Sequence, residues 1–505
     1  MKLQDAVRRL SLNDRWLQCV LLAFMVLLYG VILCNARLRP PVWQVNRTFN
    51  SMLDHLVHGQ FDVDPNTIGT EGFLRKGHVY SYFGITCAIL RLPLLLFHRL
   101  DLDVTRWSCL AAVCLAGVMK IRIVLFLRRH SGFAPGSEWA FGLMLAYIVL
   151  GGAEVGYLKA SIFQEVVFWA VAFAAAFVYF AVKGLVSGQF TAAALSWMAL
   201  SAGMALLTRV STGMGLYAAL GLLLVLLAEE LRAGRSVFTR RLLIPAAILA
   251  AFLIAVGTVN YCRWGRPTIF ADYTAYLEFR SFPDRMARMR LYGLFNLARI
   301  PLGLSYYFLP VWAMQGADGR LLFEGLQTRL MDSLELPPSS FFLTDLLPSA
   351  FIVFLAMAAW TRCHALSRSL RKAGIFSRRA DTLPISRPFA CAQGLALAAG
   401  LAVPCFLMLT AIYMSYRYRM EFYPEIDLLA FLGLYATVSN PVLLARFNRC
   451  RRWMLAATAT GIASAFALLV LYKLSPWGPS QQLLHNGLVS YYLHDALHNL
   501  HGAAQ

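Results

Sequence analysis

The chain has 505 residues, 59% of them hydrophobic and only 14% charged, with a mean hydropathy of +0.59. A soluble domain is about 45–50% apolar and about 25% charged. Here apolar stretches long enough to span a bilayer recur along the whole sequence, which excludes soluble enzymes, secreted disulfide scaffolds and disordered proteins. The reading is an all-α polytopic membrane protein, one transmembrane domain over 1–505. The formal charge of +20 comes without any basic aromatic module of the nucleic-acid-binding kinds. No nucleic-acid partner is expected, and Lys and Arg instead mark cytoplasmic loops. The ten cysteines form no CxxC pair and argue for neither a zinc site nor a disulfide framework.

In chain order, a basic start (Lys2, Arg8, Arg9, Arg15) precedes Trp16–Asn35. This apolar stretch exceeds the roughly 7–15 residues of a cleavable signal core and reads as an uncleaved first span. Further spans are expected near 107–127, 138–156, 161–182, 190–207, 212–228, 242–260, 345–361, 388–413, 425–442 and 453–472. These make about 11 transmembrane helices. With the N-terminus cytoplasmic, the inner segments carry about 24 basic against about 6 acidic residues and the remainder about 22 against about 20, as the positive-inside rule requires. Val79–Phe97 is apolar enough to be a span, but counting it would turn the Arg-rich 362–387 loop outward. It is therefore expected to be re-entrant or interfacial. Two long outer loops follow, 36–106 and 261–344, together with an outer tail, 474–505. The spans themselves read as nearly charge-free, and no internal repeat stands out.

The first outer loop carries the most chemistry. Asn46–Val57 is expected to be an amphipathic helix in the membrane interface, with Phe49, Met52, Leu53 and Leu56 on one side. After it come Asp62, Asp64 and Glu71. Carboxylates there suit a general base, or ligands of a divalent cation such as Mg or Mn at Asp62 and Asp64. The run Asp62-Val-Asp64-Pro-Asn66 is equally good turn chemistry. Arg209 lies between two spans with almost no loop, where charge marks a functional site by default. Arg417 and Arg419 open a late span, where basic residues either meet lipid phosphate or anchor the interface. The second loop mixes Arg263, Arg266, Arg280, Arg285, Arg288 and Arg290 with tyrosines. It reads as a solvated helix or an anion-binding surface. His494, His498 and His501 share a helical face without the Glu of a zinc-protease motif. Asn46-Arg-Thr48 matches a glycosylation sequon.

Three segments bring a family into view. The run Gly77-His-Val-Tyr-Ser-Tyr-Phe-Gly84 followed by Leu90-Arg-Leu-Pro93 resembles the first outer loop of membrane glycosyltransferases of the GT-C superfamily. Leu207-Thr-Arg-Val-Ser211 and Arg417-Tyr-Arg-Met-Glu-Phe-Tyr-Pro424 resemble later segments of the same group. The resemblance covers about 35 residues and implies a GT-C-like fold, a polyprenyl-phosphate-linked sugar donor and a lipid or glycan acceptor at the outer leaflet. It also implies an acidic base in the first loop. The acidic element such enzymes often place just after span one is replaced here by Val42-Trp-Gln-Val-Asn-Arg47. The base is then expected at Asp62, Asp64 or Glu71, in that order. Under the same resemblance, His78, Tyr80, Tyr82, Arg209, Tyr306, Tyr307, Arg417, Tyr418, Arg419 and Glu421 are expected to bind substrate. The expected setting is a bacterial inner membrane. The competing readings are a transporter or flippase for lipid-linked glycan, which favours broken spans and paired intramembrane charges, and a glycan polymerase or ligase that relies on loop arginines.

Overall fold

The structure, a computed structural model, describes residues 2–34, 44–131, 135–152, 154–233, 240–309, 330–331, 333–334, 340–372 and 386–474. Helix α1 (Lys2–Leu33) is followed by short elements only. These are α2 (Thr48–Val57), α3 (Pro65–Ile68), the hairpin β1 (Phe73–Arg75) and β2 (His78–Tyr80), α4 (Thr86–Ile89) and α5 (Leu92–Leu96). Long helices resume with α6 (Thr105–His130), α7 (Glu138–Ala146), α8 (Ile162–Ser187), α9 (Ala192–Leu206), α10 (Val210–Ala233) and α11 (Arg240–Trp264). A second run of short elements holds α12 (Glu278–Ser281), α13 (Pro283–Tyr292), α14 (Ile300–Phe308), β3 (Ser333–Leu334) and α15 (Phe341–Thr344). The chain closes with α16 (Leu346–Lys372), α17 (Ser386–Thr410), β4 (Tyr413–Met414), a 3-10 turn over Tyr416–Phe422, α18 (Tyr423–Ser439), α19 (Pro441–Arg449) and α20 (Arg451–Leu474).

Among the described residues eight helices are long and apolar enough to cross a membrane, and each overlaps an expected span. The expected runs 190–207 and 345–361 fall on shorter apolar helices, Ala192–Leu206 and Leu346–Thr361. The run 425–442 falls on a pair bent by 101° at Asn440, which would make a ninth span if counted as one. The chain is thus a helical polytopic membrane protein. Val79–Phe97 breaks into a strand and two short helices and does not form a spanning helix.

Local chemistry sets the helix ends. Ser161 caps α8 by accepting from the Gln164 amide, and Gly188, at φ 70°, closes it in the left-handed conformation. Between helices in lipid there is no hydrophobic drive, so close backbone approach over small residues does the packing. Gly400 of α17 shows it, since a Cβ there would sit 2.1 Å from the Ala219 amide nitrogen of α10. The main core lies among α6, α8, α9, α10, α16, α17 and α18. Helix α7 continues into a π-turn over Tyr147–Gly151, and a 3-10 turn covers Val155–Tyr157. The Tyr29 hydroxyl of α1 donates to the Val149 carbonyl in that π-turn at 2.7 Å.

The first long loop is fastened down from within. The apolar side of α2 was expected to face the membrane interface. Instead Phe49, Met52 and Leu53 pack with Phe83, Cys87, Ala88, Ile162 and Val166 inside the protein. Arg91, 1% exposed, makes a two-pronged ion pair with Glu165 of α8, at 2.5 and 2.8 Å, and its Nε donates to Asn50 of α2 at 3.0 Å. Asn46 is no glycosylation acceptor in this fold, being 7% exposed with its amide donating to Asp103 at 3.0 Å.

Candidate functional site

Asp62 sits at the mouth of the β-hairpin. His55 Nδ1 reaches its Oδ1 at 2.8 Å and His78 Nδ1 its Oδ2 at 2.7 Å. Burial pushes the Asp62 carboxyl up, but the two imidazole hydrogen bonds outweigh it and hold the carboxyl below its ordinary value. Asp64 has a different task. Its carboxylate accepts from the Asn66 amide at 2.9 Å and caps α3, with Pro65 in the first turn. The turn chemistry visible in the sequence is what Asp64 performs. The two carboxylates expected to share a divalent cation, Asp62 and Asp64, are thus engaged by separate partners. Among the described residues no group of three or more His, Cys, Asp or Glu side chains is placed to hold a metal ion.

Glu71 lies deeper. Its Oε2 accepts from the Tyr276 hydroxyl at 2.9 Å. Burial is the largest influence on its carboxyl and raises it, while Tyr276 and the nearby Arg417 pull in the other direction without cancelling the rise. Between Asp62 and Glu71 runs the strand from His78. Side chains alternate along a strand, so His78, Tyr80 and Tyr82 share one side while Val79 and Ser81 turn inward and are buried. Phe73 pairs with Tyr80 in the hairpin register and packs on Tyr82, Trp264 and Tyr273, stacking on Tyr276 at 4.8 Å. Burial drives the Tyr82 hydroxyl well above its ordinary range.

The three sequence segments singled out at the start converge here. Gly84, closing the first, lies so near the second that a Cβ would sit 1.9 Å from the Leu207 carbonyl oxygen. The Thr86 amide donates to that same oxygen at 3.2 Å. From the second segment, Arg209 pairs through Nε with Glu421 of the third, which also accepts from Ser211 at 2.7 Å and Thr212 at 2.6 Å. Glu421 is 1% exposed and its oxygens are taken, so it holds Arg209 in place and is not a sugar ligand. The Arg209 guanidinium lies 4.9 Å from the Tyr418 ring centroid, and Arg417 lies 5.7 Å from the same ring and 4.7 Å from that of Phe163. Two guanidinium groups thus flank one tyrosine, and Arg417 is near enough to Glu71 to act on its carboxyl.

Arg419 departs from the expected pairing with Arg417. It is fully buried, donates to Thr344 at 2.9 Å and pairs with Asp345 at 3.4 Å. A 3-10 helix has three residues per turn, so positions i and i+2 point to different sides. Tyr306 and Tyr307 are also corrected. Both are fully buried, Tyr307 against Phe422 at 5.0 Å, and present no surface to a sugar. His494, His498 and His501 lie outside the described residues.

Sequence reasoning missed a second polar cluster inside the helical bundle. Lys120 of α6 pairs with Glu154 at 2.7 Å and with Asp427 of α18 at 2.9 Å. Asp345 accepts from Tyr147 at 2.5 Å and Tyr423 at 3.1 Å beside Arg419. The Tyr423 ring lies 5.9 Å from the Lys120 ammonium and joins the two. The expectation of nearly charge-free spans is therefore corrected. The available signal was each lone charge in an apolar run, which is costly unless paired.

Comparison with models of known families, with curated proteins and with solved structures finds no match.

Proposed function

We propose that the chain is an inverting membrane glycosyltransferase of GT-C type, moving one sugar from a polyprenyl-phosphate-linked donor to a lipid or cell-envelope glycan acceptor. The observation that carries this reading is a half-buried loop carboxylate, Glu71, within the influence of Arg417, which shares Tyr418 with Arg209 at the junction of three segments distant in sequence. Glu71 takes the acceptor hydroxyl proton as the acceptor oxygen bonds to the anomeric carbon. The bond from that carbon to the phosphate oxygen breaks, and its electron pair leaves on the phosphate. A guanidinium answers phosphate charge with paired N–H donors, and a carboxyl raised towards neutral pH makes an effective base. Glu71 thus replaces Asp62 as first choice. Asp62 orients His55 and His78 at the loop mouth, and the aromatic face from His78 to Tyr82 offers stacking surface to a sugar. The active site faces outward in a bacterial inner membrane with the N-terminus cytoplasmic.

The test is transfer by purified protein in liposomes from extracted polyprenyl-phosphate sugars to envelope lipids, with and without Mg or Mn. Removing a general base costs about 10²–10⁴-fold. That loss is expected for Glu71→Gln, with a smaller loss for Asp62→Ala. Transfer unchanged in both Glu71→Gln and Arg417→Ala overturns the assignment.

One observation favours a second reading, a transporter or flippase for lipid-linked glycan. Lys120, Glu154 and Asp427 are paired intramembrane charges, and Asp427 lies in the helix pair bent at Asn440, the pattern that transport proteins use. Donor moved across the liposome membrane without product would decide for it.

A further inference from the structure

From the site, α18 runs from Tyr423 to Ser439, a rise of about 25 Å, and there the chain turns by 101° into α19. A helix at right angles to a membrane-crossing one lies along the membrane plane. Asn440 caps α19 by accepting from the Val442 and Leu443 amides. Its inner side is fixed: Leu443, Leu444 and Phe447 are buried, with Phe447 stacked on Phe351 of α16 at 5.8 Å. Its outer side carries Val442, Arg446 and Arg449 at i, i+4 and i+7, all exposed. Exposed Arg451, Arg452 and Trp453 follow directly. Among the described residues no carboxylate lies within ion-pair distance of these four arginines. Arg128 and Arg129 of α6, by contrast, share Asp14 at 3.6 and 2.6 Å.

We propose that this outer side of α19, with the first turn of α20, binds the phosphate headgroups of anionic phospholipid. Charge complementarity selects a phosphate, for which arginine is the matching donor. The apolar flank selects a lipid as its source. Trp453 is 76% exposed, Val442 62% and Leu455 51%, and tryptophan beside a spanning helix sits at headgroup depth. The surface is continuous with the membrane-crossing part of α20, so bound headgroups would have their tails alongside that helix. This inference is independent of the glycosyltransferase reading and holds whichever way the chain is oriented.

The experiment titrates the full-length protein in detergent with phosphatidylglycerol or phosphatidylcholine and counts bound lipid by native mass spectrometry. One basic residue near an anionic surface contributes about fivefold in affinity. The variant R446Q/R449Q/R451Q/R452Q is therefore expected to bind phosphatidylglycerol at least about a hundredfold more weakly, with lysine at all four positions restoring most of the binding. Wild-type protein should also release phosphatidylglycerol as salt rises, a readout that needs no variant to fold. Equal retention of the two lipids, retention insensitive to salt, or equal binding by wild type and the glutamine variant would each overturn the proposal. So would a dimer that the glutamine variant dissociates, because the face would then belong to a second copy of the chain.

Discussion

Consider removing the carboxylate of Glu165. Arg91 lies at the meeting point of α2, α6 and α8, with its guanidinium gripped by both oxygens of Glu165, its Nε on Asn50 and its charge 5.5 Å from the Phe49 ring centroid. Asn50 in turn donates to the carbonyls of Leu100 and Leu102, both at 2.8 Å. With 1% of the Arg91 side chain and none of Glu165 exposed, Glu165→Leu strands a cation with no water to solvate it. Breaking a buried pair in this way costs about 3–5 kcal/mol. At about 2–4 °C per kcal/mol for larger domains, unfolding should begin on the order of 10 °C earlier. Arg91→Met should cost a similar amount, and the double variant should recover most of the loss, since an apolar pair of similar volume is often neutral. Cys87 and Cys109, both fully buried, lie beside the pair, with the Cys87 carbonyl accepting from Arg91 at 3.2 Å. A thermal ramp with a thiol-reactive fluorophore therefore reads the opening of this region directly, once the other eight cysteines (Cys19, Cys34, Cys114, Cys262, Cys363, Cys391, Cys405 and Cys450) are replaced by serine. Single variants that unfold at the wild-type temperature, or a double variant no better than either, would refute the reasoning.

Other expectations follow from the same structure. Gly84→Ala places a methyl group into the Leu207 carbonyl, so it should destabilise by about 1–3 kcal/mol or more and impair any activity, measured by melting temperature and transfer together. Tyr276→Phe removes a hydrogen bond that favours ionised Glu71. The base works deprotonated, so transfer should rise with pH through the Glu71 titration, and this variant should move that limb to higher pH; an unmoved limb excludes Glu71 as the titrating group. The Asp62 carboxyl is held low by His55 and His78, so its contribution is present above the unfolded carboxyl value and lost as pH falls through the folded one. Hydrogen exchange at the Val63 amide, bonded to the Val79 carbonyl at 2.8 Å, should accelerate over that acid range in wild type, and in Asp62→Asn already at neutral pH. Lys120→Met leaves Glu154 and Asp427 facing each other without their cation and should cost about 3–5 kcal/mol; Glu154→Gln and Asp427→Asn added to it should restore part of the melting temperature.

Apolar runs are legible because spanning length and hydropathy are local properties, and every expected span falls on helix. The same is true of the side of α2 that carries Phe49, Met52 and Leu53. What covers that side is a matter of tertiary structure, so the interface was expected where protein packs. Asp64 was readable as turn chemistry because its partner, Asn66, is two residues away. Lys120 and Asp427 pair across most of the chain, and nothing in either local pattern names the other. Arg417 and Arg419 looked equivalent because nothing in the sequence of their 3-10 turn names Thr344 and Asp345, the buried partners of Arg419. Once that turn is known, Arg209 emerges as the partner of Arg417 around Tyr418.

The hydroxyl of Tyr29 has a consequence for how the protein is made. Much of α1 remains uncovered by the rest of the chain, with Trp16, Leu27 and Val31 more than half exposed, and the acceptor of its Tyr29 hydroxyl is a carbonyl 120 residues further along. At a synthesis rate of about 5–20 residues per second, Tyr29 is made roughly 6–24 s before that carbonyl exists. α6 arrives in the interval and offers Gly117, where a Cβ would meet Met25. The first helix thus docks to α6 by shape and through the ion pairs of Asp14 with Arg128 and Arg129, and its Tyr29 hydroxyl finds its acceptor only when the π-turn of the third spanning segment has been inserted. A ribosome stalled before Val149 should leave α1 free to cross-link to lipid on the face that Tyr29 later turns inward.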